Sequence, residues 1–263
     1  MSERHSKHSP HNGLIYKDID FDSSRRDSGT RNRFLEHLDK PIHDIKFIKL
    51  NHIEFPYSFY TFNSNTNSLV WQENGQIEVT STITEGNYTS STILDEIELQ
   101  MNADSIAGAT YSASLDTDTL KLTITRTGGS GTVEFLINGP DSTCSNLLGY
   151  SILGTQAASQ TGDRTINLSG DHYVDVRGNV GNLTERNLYS NGSSLNNIIA
   201  RVPILNDPGS ILYYSGNNEN YFKANGSINN LEMWLTNSQG DEINLNGGII
   251  SGKLSLYSDP SRD

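Results

Sequence analysis

The sequence has a single cysteine, Cys144, among 263 residues, which excludes a disulfide framework and a four-cysteine zinc site. Its unbroken apolar stretches are only a few residues long and its mean hydropathy is −0.52. No run approaches the ~18 residues of a membrane-crossing helix. Met1–Pro10 is polar and lacks an apolar core, so no secretory signal is expected and the chain should not be exported through one. Positive charge is scarce as well: 19 Lys and Arg stand against 31 Asp and Glu, a formal net charge of −12. That excess argues against specific nucleic-acid binding and against adhesion to an anionic membrane.

What is present in quantity is Asn, Ser, Thr and Gly, with 23 Gly but only 7 Pro, while good helix formers are sparse. Thr, Ile, Val and Tyr, which suit a pleated surface, are well represented. The spacing predicts strands at Ile45–Leu50, Ser58–Phe62, Ser68–Glu73, Gln76–Ile83, Ala109–Leu115, Thr119–Arg126 and Thr132–Ile137, with Asn74-Gly75 as a hairpin turn. Further strands are expected at Arg164–Leu168, His172–Arg177, Ile198–Leu205, Gly209–Tyr214, Ile228–Thr236 and Ile249–Tyr257. One stretch, residues 89–102, has helical spacing: Ile93, Leu94, Ile97 and Met101 share a face, and Thr92 to Asp95 fits a capping box. The expected fold is all-β, a single jelly-roll β-sandwich with one short amphipathic helix.

The first 43 residues differ in character. Through Lys40 they carry eight basic and seven acidic residues, so residues 41–263 hold about −13. Residues 1–13 lack apolar periodicity and are expected to be disordered when free. Two small apolar clusters follow, Leu14, Ile15 and Tyr16, then Phe34, Leu35 and Leu38, with a basic knot of Arg25, Arg26, Arg31 and Arg33 between and beside them. Short anchors on a polar tether suit a docking arm for a protein partner. The predicted division is therefore an arm, 1–43, and a sandwich domain, 44–263.

No set of residues converges on catalysis. Gly128–Gly131 lacks the Gly-Lys-Ser/Thr of a phosphate loop, and Gly149–Gly154 is one residue too long for a nucleophile elbow. Cys144 has no basic neighbour to lower its thiol pKa and reads as a half-buried spectator. His172 reads as an ordinary strand histidine. His5, His8 and His11 have no scaffold to hold a metal, and Asp116 and Asp118 lack the rest of a calcium loop. The helix acids Asp95, Glu96 and Glu98 read as a solvated face. Asn-x-Ser/Thr triplets at Asn87, Asn167, Asn182, Asn191 and Asn225 are the chance yield of this composition. No cofactor, metal or enzymatic activity is expected.

Several runs together resemble a known family. They are Ile48–Phe62, Asn67–Glu73, Gly86–Thr89 with the helix after it, Tyr111–Ile124, Asn146–Tyr150, Ile198–Ile204, and Leu231–Thr236 with Gly240–Gly247. Their order is similar to that of the penton (vertex) and minor capsid proteins of virophages, polinton-like viruses and large double-stranded DNA viruses, over roughly residues 45–257. The resemblance implies a structural capsid protein of a virion, made inside the host cell. It further implies a homopentamer at the five-fold vertex of an icosahedral shell, touching major and possibly minor capsid proteins, with the arm docked on neighbouring capsomers. Five bodies of −13 repel, so the ring contacts are expected to be apolar or hydrogen-bonded, with the acids facing solvent or bridged by cations. Alternatives of another class are a glycan-binding module of a fibre or spike, using Trp71, Tyr213, Tyr214, Trp234 or Tyr257 as platforms, and a sandwich glycosidase, for which no carboxylate pair stands out.

Overall fold

The computed structural model describes residues 13–129, 134–180, 197–216 and 221–260. The histidines at 5, 8 and 11, the triplets at Asn182 and Asn191 and part of the Gly128–Gly131 turn lie outside them. The chain forms two compact units: Met1–Phe59 with Asp171–Asp263, and Tyr60–Gly170 inserted between them.

This division corrects the expected boundary. The first unit contains β1 (Ile15–Asp22), β2 (Ser28–Gly29) and β3 (Arg33–Pro56), so residues 43 and 44 fall inside one long strand. From Gly13 onward the expected arm is largely sheet. The reason is pairing partners far away in sequence: β1 runs antiparallel to β14 (Ser251–Ser258), with Ile15 opposite Ser258 and Asp22 opposite Ser251. Ile19 and Phe21 alternate with Asp18, Asp20 and Asp22, which is the period-2 pattern of a half-buried strand.

The remaining strands of this unit are β10 (Tyr173–Gly178), β11 (Ile198–Pro203), β12 (Ile211–Ser215) and β13 (Phe222–Thr236). All eight join one sheet, in the order β1-β14-β3-β13-β10-β11, with β12 and β2 also on β3. β3 and β13 are long enough to serve both layers of a sandwich. The second half of β3 pairs with β14 on one side and with β12 and the start of β13 on the other, Phe222 and Lys223 lying opposite Ile48 and Phe47. Its beginning, Arg33–His37, pairs with the later part of β13. Between these stretches the ladder is broken by register shifts around Gly226 and Ile228, where the sheet folds over. Asp44 there takes a positive φ of 51°. The folding brings Phe21 of β1 to 6.2 Å, ring to ring, from Phe34 of β3. Both join one core with Ile53, Val174, Val176, Met233, Leu235, Leu254 and Leu256.

The inserted unit holds β4 (Ser68–Glu73), β5 (Glu78–Thr82), α1 (Ser90–Asp104), β6 (Thr110–Leu115), β7 (Leu122–Gly128), β8 (Phe135–Ile137), α2 (Ser145–Leu148) and β9 (Ser159–Thr161). Two three-stranded sheets, β5-β4-β8 and β6-β7-β9, form here. The expected hairpin is present: Asn74 and Gly75 have φ of 47° and 66°, and Gln76 N–H donates to Glu73 O at 2.8 Å. Helix α1 lies where the spacing placed it, with Ile93, Ile97 and Met101 buried. Its cap is Thr89 rather than Thr92. Thr89 Oγ1 accepts from Thr92 N–H, and Thr92 Oγ1 returns the bond to Thr89 N–H. The helix acids do more than face solvent, since Glu96 accepts from Thr84 N–H and Glu98 from Ala113 N–H, tying α1 to its neighbours. The sequences Ser58–Phe62 and Arg164–Leu168, expected as strands, form none. The fold class is all-β, as the composition implied.

Candidate assembly surfaces

The expected docking residues separate into committed and exposed groups. Phe34 is buried in the first unit's core, and Leu38 packs against it half-buried. Leu35 is half-buried opposite Glu232 and Ser28. Three of the four arginines of the basic knot are bonded within the same unit. Arg26 donates to Ser23 O and Gly29 O, and Arg31 donates to Gly247 O at 2.6 Å. Arg33 pairs with Glu232 at 2.7 Å and lies 4.5 Å over the Trp234 ring. Arg25 is exposed and lowers the pKa of Asp22, a smaller influence there than the hydrogen bond from Ser24. Leu14, Ile15 and Tyr16 stay at the surface. Leu14 lines a groove of about 390 Å³ with Lys46, Phe47, Lys223, Asn225 and Asp259, and Tyr16 sits 6.0 Å from the Tyr257 ring.

The groups with chemical potential turn out to be structural. In the inserted unit Glu73 is wholly buried and its carboxylate accepts three bonds, from Ser105 Oγ (2.6 Å), Tyr111 Oη (2.7 Å) and Ala107 N–H (2.8 Å). Burial, and then the hydrogen bond to Glu73, push the Tyr111 hydroxyl well above its ordinary pKa. This network pins the C-terminal end of α1 to β4 and β6. Sequence reasoning missed it, because a Glu ending a strand looks like any solvated turn residue. Cys144 is fully rather than half buried; burial pushes its thiol up to about 12, and Sγ lies 3.0 Å from Ser68 O. Asp116 closes a turn by accepting from Asp118 and Thr119 N–H, bonds that lower its pKa. Among the platform aromatics, Trp71 and Tyr257 are buried, Trp234 and Tyr214 half-buried, and Tyr213 is exposed and stacked on His52. Among the described residues no cluster of His, Cys, Asp and Glu is built to hold a metal, and no helix is long and apolar enough to cross a membrane.

Strand alternation in the first unit yields two unlike outer faces. On the layer β12-β3-β14-β1, the core side takes Phe21, Ile53, Phe55, Leu254 and Leu256, which turns Asp18, Asp20, Asp22, Glu54 and Lys253 outward. On the layer β11-β10-β13 with the start of β3, Val174, Val176, Met233 and Leu235 turn inward. Arg201, Tyr173, Arg177, Trp234 and Arg33 then share the outer side. There Asp175, almost fully buried, holds Arg201 through two bonds of 2.8 and 3.1 Å, and the guanidinium rests 3.7 Å over the Tyr173 ring. The Asp175 bonds raise the Arg201 pKa further.

No protein-family model matches the sequence, and no curated protein matches it. Among solved structures, the crystal structure of the selenomethionine-labelled mavirus penton protein is similar over 92% of this chain and 99% of its own, with a TM-score of 0.50 and 11% identity. The fold is that of the mavirus penton protein. The cryo-EM structure of the Sputnik virophage also matches, over 95% of this chain and 99% of the matched one, with a TM-score of 0.45 and 14% identity. The similarity to the mavirus penton protein takes in nearly all of both chains, so it spans the inserted unit as well as the sandwich. Fold is what a likeness at this level of identity carries.

Proposed function

We propose that this chain is a structural capsid protein, the vertex subunit of an icosahedral virion, assembling as a homopentamer and having no enzymatic role. The observation that carries the reading is the fold shared with the mavirus penton protein along nearly the full length of both chains. The absorption of the buried Glu73 and Asp175 into structural bonds is in keeping with a protein that binds neighbours rather than transforming a molecule. Major and minor capsid proteins are its partners and the virion is its location. The docking role contracts from residues 1–43 to the chain preceding β1, with Leu14, Ile15 and Tyr16 at its base beside the Lys46–Lys223 groove.

The test is the mass in solution. A pentamer weighs about 145 kDa, five times 29.0 kDa, by light scattering or native mass spectrometry. A stable trimer would favour a fibre head instead, and a monomer at all concentrations would refute the vertex reading. Deleting residues 1–13 should leave the pentamer intact and abolish its incorporation into shells; retained incorporation would remove the docking role.

A further inference from the structure

We propose that copies of this chain associate head to tail through the two outer faces of the first unit, the Arg and aromatic face of one copy meeting the carboxylate face of the next. The inference rests on the homomeric reading above and names the surfaces it uses.

The two faces differ in chemistry. The β11-β10-β13 face carries Arg33 and Arg201 at its surface, with Arg177 buried between them and bonded to Thr236, against Asp175 and Glu232. Two of these guanidinium groups lie over aromatic rings, Arg33 over Trp234 and Arg201 over Tyr173. Their side chains remain 48% and 50% exposed. Arg, Trp and Tyr are the residue types that dominate interface energetics, and a guanidinium fixed on a ring loses little further freedom on docking. The opposite face carries Asp18, Asp20, Asp22 and Glu54 against Lys253, with Lys49 buried over the Tyr221 ring. Asp20 is bridged to Lys253 at 3.2 Å yet is 65% exposed, and Glu54 is exposed beside Ser251. Apolar and aromatic area stands next to these acids, at Ile211 and Tyr213.

A second copy is the occupant that fits both observations at once. In a chain of net charge −12 any two copies repel. A face whose acids are matched by Arg33 and Arg201, set against one where Asp18, Asp20, Asp22 and Glu54 outnumber the lysines, offsets that repulsion where the subunits touch. The faces lie on opposite sides of one sandwich, so the contact cannot be isologous. It is heterologous, repeats identically at each step, and closes into a ring when the rotation allows. This departs from the expectation of an apolar or hydrogen-bonded ring contact with the acids facing solvent: it places charge pairs flanked by aromatics at the contact instead.

The experiment compares Arg33→Glu with the pair Asp20→Arg/Glu54→Arg in the full chain, each checked for folding by circular dichroism. All three sites are exposed, and the second variant stands independently if the first fails to fold. Sedimentation should show each variant weakened in self-association by about tenfold or more, while an equimolar mixture of the two forms at least heterodimers, because the acidic face left intact in the first meets the Arg face left intact in the second. A ring of five cannot alternate two variants, so heterodimer formation is the recovery that counts. Wild-type association should weaken between low and high salt. A wild-type chain that stays at 29.0 kDa refutes the homomeric reading, and this inference with it. A wild-type oligomer whose mass survives both variants unchanged overturns the face assignment alone. Loss in one variant only, or no recovery on mixing, refutes the head-to-tail arrangement.

Discussion

Replacing Glu73 by Gln is the sharpest probe of what holds the inserted unit together. The wild-type carboxylate is wholly buried and is met by three donors, two hydroxyls and one backbone N–H. An amide of the same shape has one oxygen, so its NH2 group must face a donor. Hydrogen bonds to a charged group are worth about 1.5–3 kcal/mol each, and an unsatisfied buried donor costs about 1–3 kcal/mol. Part of that loss is offset because a neutral amide is cheaper to bury than a carboxylate. The expected net destabilisation is about 2 kcal/mol, or a fall of roughly 8 °C in Tm for a unit of about a hundred residues. Tyr111→Phe removes one donor and leaves the carboxylate two, so it should cost about 1 kcal/mol. The double variant should lose less than the sum of the two, because both act on one network. The assay is convenient: the chain has two tryptophans, Trp71 fully buried in the inserted unit and Trp234 in the first. In a Trp234→Phe background, urea and thermal unfolding followed by fluorescence report on Trp71 alone. A shift below about 0.5 kcal/mol for Glu73→Gln would refute the reasoning, as would strict additivity with Tyr111→Phe.

Cys144, buried with its thiol held up to about 12, should resist a thiol reagent at pH 8 in the native protein and react fully in denaturant; fast native labelling would contradict its burial. Glu36 has its pKa raised, chiefly by desolvation. A carboxyl so shifted leaves folding unaffected when protonated in both states and destabilises it once pH rises through the unfolded and then the folded pKa. Glu36→Gln keeps an acceptor for the Asp22 N–H and should therefore raise Tm at pH 7 but not at pH 3.5. Equal Tm gains at both pH values would show that desolvation of the charge is not the cause.

Local signals in the sequence were legible where local chemistry decides the outcome. Asn74-Gly75 specifies its turn because both residues accept positive φ, and Ile93, Ile97 and Met101 specify a helix face through spacing alone. β1 and the first half of β3 were harder to see. Their pattern is that of short apolar anchors on a polar tether, and what makes them sheet is β14 and β13, far downstream in the chain, as Ile15 opposite Ser258 and Ile42 opposite Ile228 show. Bulges around Gly226 break the period-2 pattern as well. The insertion left no trace in composition, because both units draw on the same Asn, Ser, Thr and Gly. The two faces of the sandwich were hidden for a similar reason: Arg33 and Arg201 become neighbours of Trp234 and Tyr173 only across strands.

The position of residues 60–170 has a consequence of its own. The strands of the first unit pair with one another on both sides of the gap, β3 with β12, β13 and β14, so their ladder asks nothing of the intervening stretch except that it return to Asp171. Chain-closure entropy grows only with the logarithm of length, about 0.6 kcal/mol for each doubling. A replacement cassette half or twice as long would thus change the closure cost by less than one hydrogen bond. The point between Phe59 and Asp171 is accordingly free to accept stretches of very different length while the host framework stays constant.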